Sequence, residues 1–242
     1  MRLTIVTPTY NEAENLPRLV SALFALPVDD LSLLVVDDAS PDGTGQLAED
    51  LAGQHPGRIQ VLHRAGKLGL GTAYIAGFQQ ALAAGAEAIV QMDTDFSHPP
   101  EIIPDLLQAL QRVDVAMGSR YIPGGSVDRH WPAWRKGLSA FGNQYARLIL
   151  GLTVRDATGG YRAWKRASLQ AMPLQQIRSN GYAFQVEMAY VAKRLGFRFE
   201  EIPFYFADRQ WGHSKMSFHI QREAAVRVWQ MRRQYRFLKP VT

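Results

Sequence analysis

Two aspartates separated by one residue, Asp93 and Asp95, are the side chains whose type and spacing most directly indicate chemistry. They follow an apolar run at 88–92 that predicts a buried strand, so both carboxylates are expected where that strand ends. Oxygen ligands so close together suit a hard divalent cation that keeps positions open for phosphate oxygens. The alternative is a solvated acidic turn, and the position at a strand end favours the metal site.

Polar and aromatic side chains also follow the other predicted strands. In an open parallel sheet, ligands bind beyond the carboxyl ends of the strands. Several acids and bases at one such edge require a cation and an anionic ligand. The residues concerned are Tyr10, Glu12, Asp37, Asp38, Lys67 and Arg120.

Most of these residues also have a purely structural interpretation. Asp37 and Asp38 could start the turn at 40–43 instead of binding a base or ribose. Tyr10 could pack in the core instead of offering a stacking surface, and Lys67 could be a solvated loop cation instead of meeting a diphosphate. The glycines near Lys67 fit neither a Walker A loop nor a dinucleotide fingerprint, which disfavours P-loop NTPases and dinucleotide-dependent oxidoreductases.

The elements that must position these residues follow from the alternation of short apolar runs with longer helical patterns. Such alternation predicts βαβ units and one α/β domain with a mixed, mainly parallel sheet flanked by helices. Asn11 with Glu14, and Asp42, are predicted to cap the first two helices. The segment 158–161 is interpreted as a glycine-rich turn. Strands are predicted near 2–7, 32–37, 58–63, 87–92, 113–118 and 198–206, and helices near 12–26, 43–54, 70–84, 100–111, 135–150, 182–195 and 218–236.

Composition narrows the class of protein. The 242 residues include no cysteine, which excludes a disulfide scaffold, a thiolate metal site and a cysteine nucleophile. We find no signal-peptide pattern and no apolar run approaching the ~20 residues of a spanning helix, so we expect a cytoplasmic protein. Nucleic acid is not an expected partner, because no nucleic-acid-binding motif accompanies the basic charge.

Basic charge is concentrated near the carboxyl end. From 207 onward there are eight basic and two acidic residues. The helix predicted at 218–236 has an apolar stripe, and Arg222, Arg233 and Arg236 fall on the opposite side with aromatic residues among them. Such a helix either docks on the protein through its stripe or lies on an anionic membrane surface. The stripe consists of Ile220, Ala224, Val228, Met231 and Tyr235.

Five segments resemble, in order, those of the polyprenol (dolichol) monophosphate mannose synthases, over about residues 3–217. That family consists of metal-dependent inverting glycosyltransferases with the GT-A fold. The resemblance therefore implies this fold, GDP-mannose as donor and a polyprenyl monophosphate as acceptor. The segments are Pro-Thr-Tyr-Asn-Glu at 8–12, Val-Asp-Asp-Ala-Ser-Pro-Asp-Gly at 36–43, Met-Asp-Thr-Asp-Phe-Ser-His-Pro at 92–99, Gly-Ser-Arg-Tyr at 118–121 and Ser-Lys-Met at 214–216.

On the donor side, the resemblance implies contacts to the nucleotide and to a divalent cation. Asp93 and Asp95 would bind Mg²⁺ or Mn²⁺ together with the diphosphate, and Ser97 stands where some relatives carry a glutamine ligand. Lys67 and Thr94 would lie beside the donor. The guanosine would be held by Pro8, Tyr10, Glu12, Val36 and Asp38.

On the acceptor side, the resemblance implies a cluster of cations. Arg120, Arg209 and Lys215 would contact the phosphates of donor or acceptor, and Arg135 would lie near the lipid phosphate. With Asp95, the first three would form the catalytic set.

The extent of the resemblance and the composition of the chain from 207 onward together predict how the chain is organised. Residues 1–217 would form the catalytic domain, in which 207–217 is predicted to be a mobile lid. The basic amphipathic helix at 218–242 would belong to the same domain and contact the cytoplasmic face of a membrane, with or without a membrane-spanning partner. Two alternatives stay open: glucosyl transfer from UDP-glucose on the same fold, and a non-catalytic peripheral protein that binds nucleotide sugar or anionic lipid.

Overall fold

A seven-stranded mixed sheet forms the centre of the protein. The computed structural model describes residues 1–207 and 218–241, apart from the side chains of 218–224. The strands are β1 (Leu3–Thr9), β2 (Leu31–Asp37), β3 (Ile59–His63), β4 (Ala88–Gln91), β5 (Val115–Ser119), β6 (Ser126–Val127), β7 (Arg162–Lys165), β8 (Phe199–Pro203) and β9 (Tyr205–Phe206).

The large sheet has the strand order β3-β2-β1-β4-β7-β5-β8. The first four strands of the chain are parallel to one another, and β8 is parallel to β5. By contrast, β7 is antiparallel to both of its neighbours, β4 and β5. A separate two-stranded ribbon pairs β6 with β9.

Helices cover both faces of this sheet. Because side chains alternate along a strand, β2 sends Leu34 and Val36 into one apolar cluster and Leu33 and Val35 into the other. Burial on both faces explains why the strand is apolar throughout. The helices are α1 (Leu16–Phe24), α2 (Thr44–Gln54), α3 (Leu70–Ala83), α4 (Ile103–Leu110), α5 (Ala133–Leu150), α6 (Arg166–Ala171), α7 (Gly181–Arg194) and α8 (Phe218–Gln234), with 3₁₀ turns at Pro100–Ile102 and Leu174–Gln176.

The predicted rhythm of strands and helices is confirmed up to β5, and the structure corrects it afterwards. β7, which follows the predicted turn at 158–161, was missed because a four-residue strand with charged residues at both ends lacks an alternating apolar pattern. The strand predicted at 198–206 is two strands, β8 and β9, which pair in different sheets.

The predicted start of the first helix is wrong. Asn11 lies in the left-handed region with φ 62°, and the helix begins only at Leu16. The loop between β1 and α1 is held instead by residues at the start of α2. The main-chain N–H of Glu12 donates to Thr44 Oγ1 at 2.9 Å, and that of Ala13 donates to Asp42 Oδ2 at 3.2 Å.

The cap predicted for the second helix is displaced by one residue. Gly43 is the N-cap of α2, but the side chain of Asp42 accepts the N–H of Thr44 at 3.0 Å. This carboxylate satisfies a donor of the first helical turn, as a capping residue does.

The end of the chain docks on the protein through part of the predicted stripe. Val228, Met231 and Tyr235 are buried, and α8 packs against α5 and α7. The side chains of Ile220, Ala224 and Arg222 lie outside the description. No helix in the described part of the chain has the length and apolarity needed to cross a membrane.

Candidate active site

The loop that follows β4 carries Asp93 and Asp95 and is held at several points. The hydroxyl of Tyr74 donates to Asp93 Oδ1 at 3.0 Å, and the main-chain N–H of Asp93 donates to Nδ1 of His98 at 2.9 Å. The N–H of Ser97 donates to Asp95 Oδ1 at 3.1 Å. The two carboxylates are therefore positioned by the protein itself.

Thr94, between the two aspartates, ties this loop to β1. Its side chain is buried, contacts Thr7 Oγ1 at 2.9 Å and donates to the carbonyl of Pro8 at 3.2 Å. With Thr94 donating to the carbonyl, the hydroxyl of Thr7 is the donor between the two threonines. The predicted nucleotide segment at 8–12 and the predicted metal loop are thus directly connected.

The donor set of this loop fits a divalent cation of the Mg²⁺ or Mn²⁺ type. All candidate ligand atoms are oxygens, and the side chain of Asp93 is 30% exposed, so a ligand can reach it. Among the side chains that the structure describes, no group of three or more histidine, aspartate or glutamate residues is arranged to hold a metal. Two carboxylates would leave several coordination positions to diphosphate oxygens and water. Ser97 is buried, and its role as a ligand stays a prediction.

Three of the residues predicted to bind the donor lie around the loop after β3: Tyr10, Asp38 and Lys67. The ammonium group of Lys67 lies 3.5 Å from the centroid of the Tyr10 ring. Asp38 forms an ion pair with Arg64, and its Oδ2 accepts the main-chain N–H groups of Leu68 and Gly69 at 3.2 and 3.3 Å. Asp38 thus shapes the loop that carries Lys67, and its contact with a nucleoside stays a prediction.

The other residues predicted to hold the nucleoside differ in what they can offer. Val36 is completely buried in the core, so only its main chain could contact a ligand. Glu12 Oε2 accepts a hydrogen bond from Asn15 Nδ2 at 2.7 Å. Asp37 accepts from Thr9 Oγ1 and from both the N–H and the hydroxyl of Ser40, which supports the turn interpretation for this residue.

Arg120 is fixed by a buried ion pair with Asp156, a residue that sequence reasoning missed. Nε of Arg120 donates to Oδ2 and Nη2 donates to Oδ1, both at 2.7 Å, and the main-chain N–H of Arg120 donates to Oδ2 at 2.9 Å. Nη2 also donates to Thr158 Oγ1 at 3.0 Å. No pattern announces Asp156, since it lies 36 residues away in the sequence.

The pair keeps its charges despite burial. Burial disfavours the charged guanidinium, but the charge and hydrogen bonds of Asp156 outweigh it and raise the pKa of Arg120. Burial likewise opposes ionisation of Asp156, and Arg120 outweighs it so that the pKa of this carboxyl is lowered. The guanidinium of Arg120 therefore stays charged within a fixed ion pair, at the same edge of the sheet as Asp93 and Asp95.

Two more buried groups near the site were not predicted. Burial lowers the pKa of His98, and its Nδ1 accepts the hydrogen bond from Asp93; its ring stacks on Tyr161 with centroids 4.9 Å apart. Arg162 donates Nη2 to the carbonyl of Ala157 at 2.9 Å, and burial lowers its pKa to about 10. Among the described residues, its Nε and Nη1 meet no hydrogen-bond acceptor.

The remaining predicted cations are less fully placed. The guanidinium of Arg135, at the start of α5, lies 3.8 Å from the centroid of the Trp131 ring. Arg209 and Lys215, together with the predicted lid and the segment at 214–216, lie outside the described residues.

Comparison with known proteins identifies the family. The model for glycosyl transferase family 2 matches residues 4–172. An undecaprenyl-phosphate mannosyltransferase of Micrococcus luteus is 48% identical over 94% of this chain and 93% of its own length. A polyprenol monophosphomannose synthase of Mycolicibacterium smegmatis is 46% identical over 94% of this chain and 85% of its own. A dolichol-phosphate mannosyltransferase of Pyrococcus furiosus is 35% identical over 89% of this chain and 59% of its own.

Solved structures confirm the predicted GT-A fold. Glucosyl-3-phosphoglycerate synthase from Mycobacterium tuberculosis with Mg²⁺ and uridine diphosphate has a TM-score of 0.66 at 19% identity, covering 95% of this chain and 79% of that one. The same enzyme with Mn²⁺, uridine diphosphate and glucosyl-3-phosphoglycerate has a TM-score of 0.65 at 19% identity, covering 100% and 81%. The chain therefore belongs to glycosyl transferase family 2 and, by identity over nearly its whole length, to the polyprenol monophosphate mannose synthases within it.

Proposed function

We propose that this enzyme transfers mannose from GDP-mannose to a polyprenyl monophosphate with inversion at the anomeric carbon. The observation that carries the proposal is that the preorganised loop of Asp93 and Asp95 and the fixed guanidinium of Arg120 follow two strands, β4 and β5, whose carboxyl ends lie at the same edge of the sheet. The names of three mannosyl-transferring relatives favour mannose over glucose. Glucosyl transfer is named for a solved structure at 19% identity, a likeness that shows the fold alone.

The proposed chemistry makes few demands on the protein. A polyprenyl phosphate is already anionic near neutral pH, so its oxygen can attack C1 of mannose without a strong general base. The bond from C1 to the donor oxygen breaks on the opposite face, and GDP leaves with the electron pair. The protein must hold the two substrates in line and balance the charge of both phosphates.

The chain's own residues divide these tasks. Asp93 and Asp95 would hold Mg²⁺ or Mn²⁺, which when bound stabilises negative charge on the departing diphosphate. Lys67 and Tyr10 would lie at the nucleotide, and Arg120 would face a phosphate. Arg120 suits this role because Asp156 fixes its orientation through Nε and Nη2. Rigid donors need no reorganisation when charge develops.

We further propose that the catalytic unit at 1–217 and the helical segment at 218–242 act together at a membrane surface. Three large apolar side chains on α5 recur every seven residues and are strongly exposed: Trp134 at 67%, Phe141 at 66% and Leu148 at 73%. Trp229 of α8 is also exposed, and its Nε1 donates to the hydroxyl of Tyr145 on α5 at 3.0 Å. The two helices would thus share one amphipathic surface.

Charge supports an anionic lipid surface as the partner. Arg232 and Arg233 follow Trp229 on α8 and are exposed, and Arg135 lies on α5 next to Trp134. Aromatic side chains beside arginines are typical of helices at the lipid–water boundary. The cytoplasmic face and a membrane-spanning partner subunit remain predictions.

One assay tests the proposed reaction directly. Incubation with radiolabelled GDP-mannose and polyprenyl phosphate should move label into the organic phase, whereas radiolabelled UDP-glucose should not. Asp95→Ala and excess EDTA should each abolish the transfer while the fold persists. Transfer from UDP-glucose alone would replace the proposal by the glucosyl alternative, and GDP-mannose binding without transfer by wild-type enzyme would favour the non-catalytic one. Undiminished transfer in EDTA would refute the proposed requirement for a divalent cation.

A further inference from the structure

Tyr74 of α3 is buried beneath the loop that carries Asp93. Its ring stacks on Phe78 with centroids 5.8 Å apart and on Phe184 of α7 with centroids 6.0 Å apart. None of the side chain is exposed. Packing on two aromatic rings fixes the direction in which its hydroxyl points.

That hydroxyl ends on one oxygen of Asp93. It donates to Oδ1 at 3.0 Å, while the main-chain N–H of the same aspartate is held by His98. A phenolic hydroxyl carries its proton at neutral pH and a carboxylate only accepts, so the hydroxyl of Tyr74 is the donor of this bond. Asp93 is therefore restrained at its backbone and at one side-chain oxygen.

The helix that carries Tyr74 is itself anchored at the nucleotide side. Asp38 accepts the N–H groups of Leu68 and Gly69 immediately before α3. At the first turn the helix packs so closely that a Cβ on Gly71 would lie 2.5 Å from the carbonyl oxygen of Ser179. The N-terminal end of α3, just before Tyr74, is thus fixed by two other parts of the chain.

We propose that Tyr74 is a positioning residue that orients the carboxylate of Asp93 for a divalent cation bound with the nucleoside diphosphate. The inference rests on the proposed metal role of Asp93. A hydrogen bond to one oxygen leaves the carboxylate a single preferred rotamer, so less freedom is lost when a cation binds. Outer partners of metal ligands are typically worth about 10–100-fold in metal affinity.

The test compares two tyrosines that donate to carboxylates. Tyr74→Phe removes the hydroxyl and keeps the ring between its aromatic neighbours. The matched control is Tyr235→Phe, since the hydroxyl of Tyr235 donates to Glu187 Oε1 at 2.8 Å, in a buried setting remote in sequence from the loop. Mn²⁺ binding in the presence of GDP is measured by electron paramagnetic resonance of the free ion, and folding by thermal unfolding.

We expect Tyr74→Phe to raise the Kd for Mn²⁺ by about tenfold or more, and Tyr235→Phe to leave it within twofold of wild type. An unchanged Kd in folded Tyr74→Phe, or an equal rise in both variants, would overturn the inference. The double variant Asp93→Asn with Tyr74→Phe removes both partners of the bond. It should bind Mn²⁺ no more weakly than Asp93→Asn alone, and a further loss would show that Tyr74 acts by another route.

The wild-type measurement separates this inference from the proposed function. If the wild-type protein with GDP binds no Mn²⁺, both the proposed metal site and the proposed role of Tyr74 are refuted. If wild type binds Mn²⁺, Asp93→Asn binds it more weakly, and Tyr74→Phe equals wild type, only the role of Tyr74 is refuted.

Discussion

Asp156 accepts three hydrogen bonds from Arg120, two from the guanidinium and one from the main chain, and both side chains are buried. Burying a charged guanidinium costs free energy, and the carboxylate of Asp156 offsets that cost only while the ion pair is intact. The residue predicted to face a substrate phosphate is therefore fixed by one that the motifs do not contain.

Asp156→Ala should destabilise the fold by about 3–5 kcal/mol, the usual cost of leaving a buried charge unpaired. Thermal or urea unfolding measures the change. The control is Asp114→Ala, which removes the partner of the largely exposed Arg198 and should have a much smaller effect. Equal effects of the two substitutions would contradict the importance of burial at Asp156.

The same pair predicts acid sensitivity. The pKa of Asp156 is lowered from its unfolded value of 3.8, so the folded state binds fewer protons at this group. Its contribution to stability is fully present above that value and is lost as pH falls through the folded pKa. The free energy of unfolding of wild type should therefore drop more steeply below pH 3.8 than that of Asp156→Asn. Parallel curves for the two proteins would argue against this assignment.

Thr94→Ala should cost about 1 kcal/mol, because it leaves the buried hydroxyl of Thr7 without its partner. Urea unfolding checks the value. Replacing both residues, with Thr7→Val and Thr94→Ala, should cost less than the sum of the single losses. Additive losses would mean that the two hydroxyls stabilise the protein independently.

Phe141→Ser, and more so its combination with Trp134→Ser, should weaken sedimentation with vesicles that contain anionic lipid. The substitutions remove exposed apolar area from the proposed membrane surface, so the fold should keep its melting temperature. Gln144→Ala, an exposed polar position on the same helix, serves as control. Raising the salt concentration should weaken the binding of wild type to the vesicles. Binding that depends on neither salt nor Phe141 would show that another surface of the protein contacts the membrane.

Arg209→Ala and Lys215→Ala test the part of the site that lies outside the described residues. If these cations act on the phosphates during transfer, each substitution should reduce the rate of label transfer far more than the affinity for GDP. Calorimetric titration with GDP gives the affinity, and the organic-phase assay gives the rate. An equal reduction of both would assign the two residues to donor binding.

Much of the fold was predictable because the early strands are buried on both faces and read as apolar runs between helical patterns. Asp93 and Asp95 were predictable for the same reason, since they directly follow such a strand. Asp156 and Tyr74 were not, because their roles depend on partners 36 and 19 residues away. A sequence pattern reports local period and spacing, and it carries no sign of which distant side chains will meet.

β7 was missed for a different reason. Its first residue, Arg162, is charged yet completely buried, which reverses the usual relation between residue type and position. The start of α1 was misplaced because a local cap was expected there. The main chain before α1 donates hydrogen bonds to Thr44 and Asp42 instead. In both cases tertiary contacts overrode the local preference.

β7 lies between β4 and β5 and separates the two strands that lead to the predicted site residues. Arg162 is aligned with Gln91 on one side and with Met117 on the other, so one residue fixes the register of both neighbouring strands. The ends of β4 and β5, which lead to Asp93 and Arg120, stand two strand spacings apart, roughly 10 Å. The register of β7 therefore sets how β4 and β5 are aligned. A slip of one residue in β7 would shift the loop of Asp93 and Asp95 relative to Arg120.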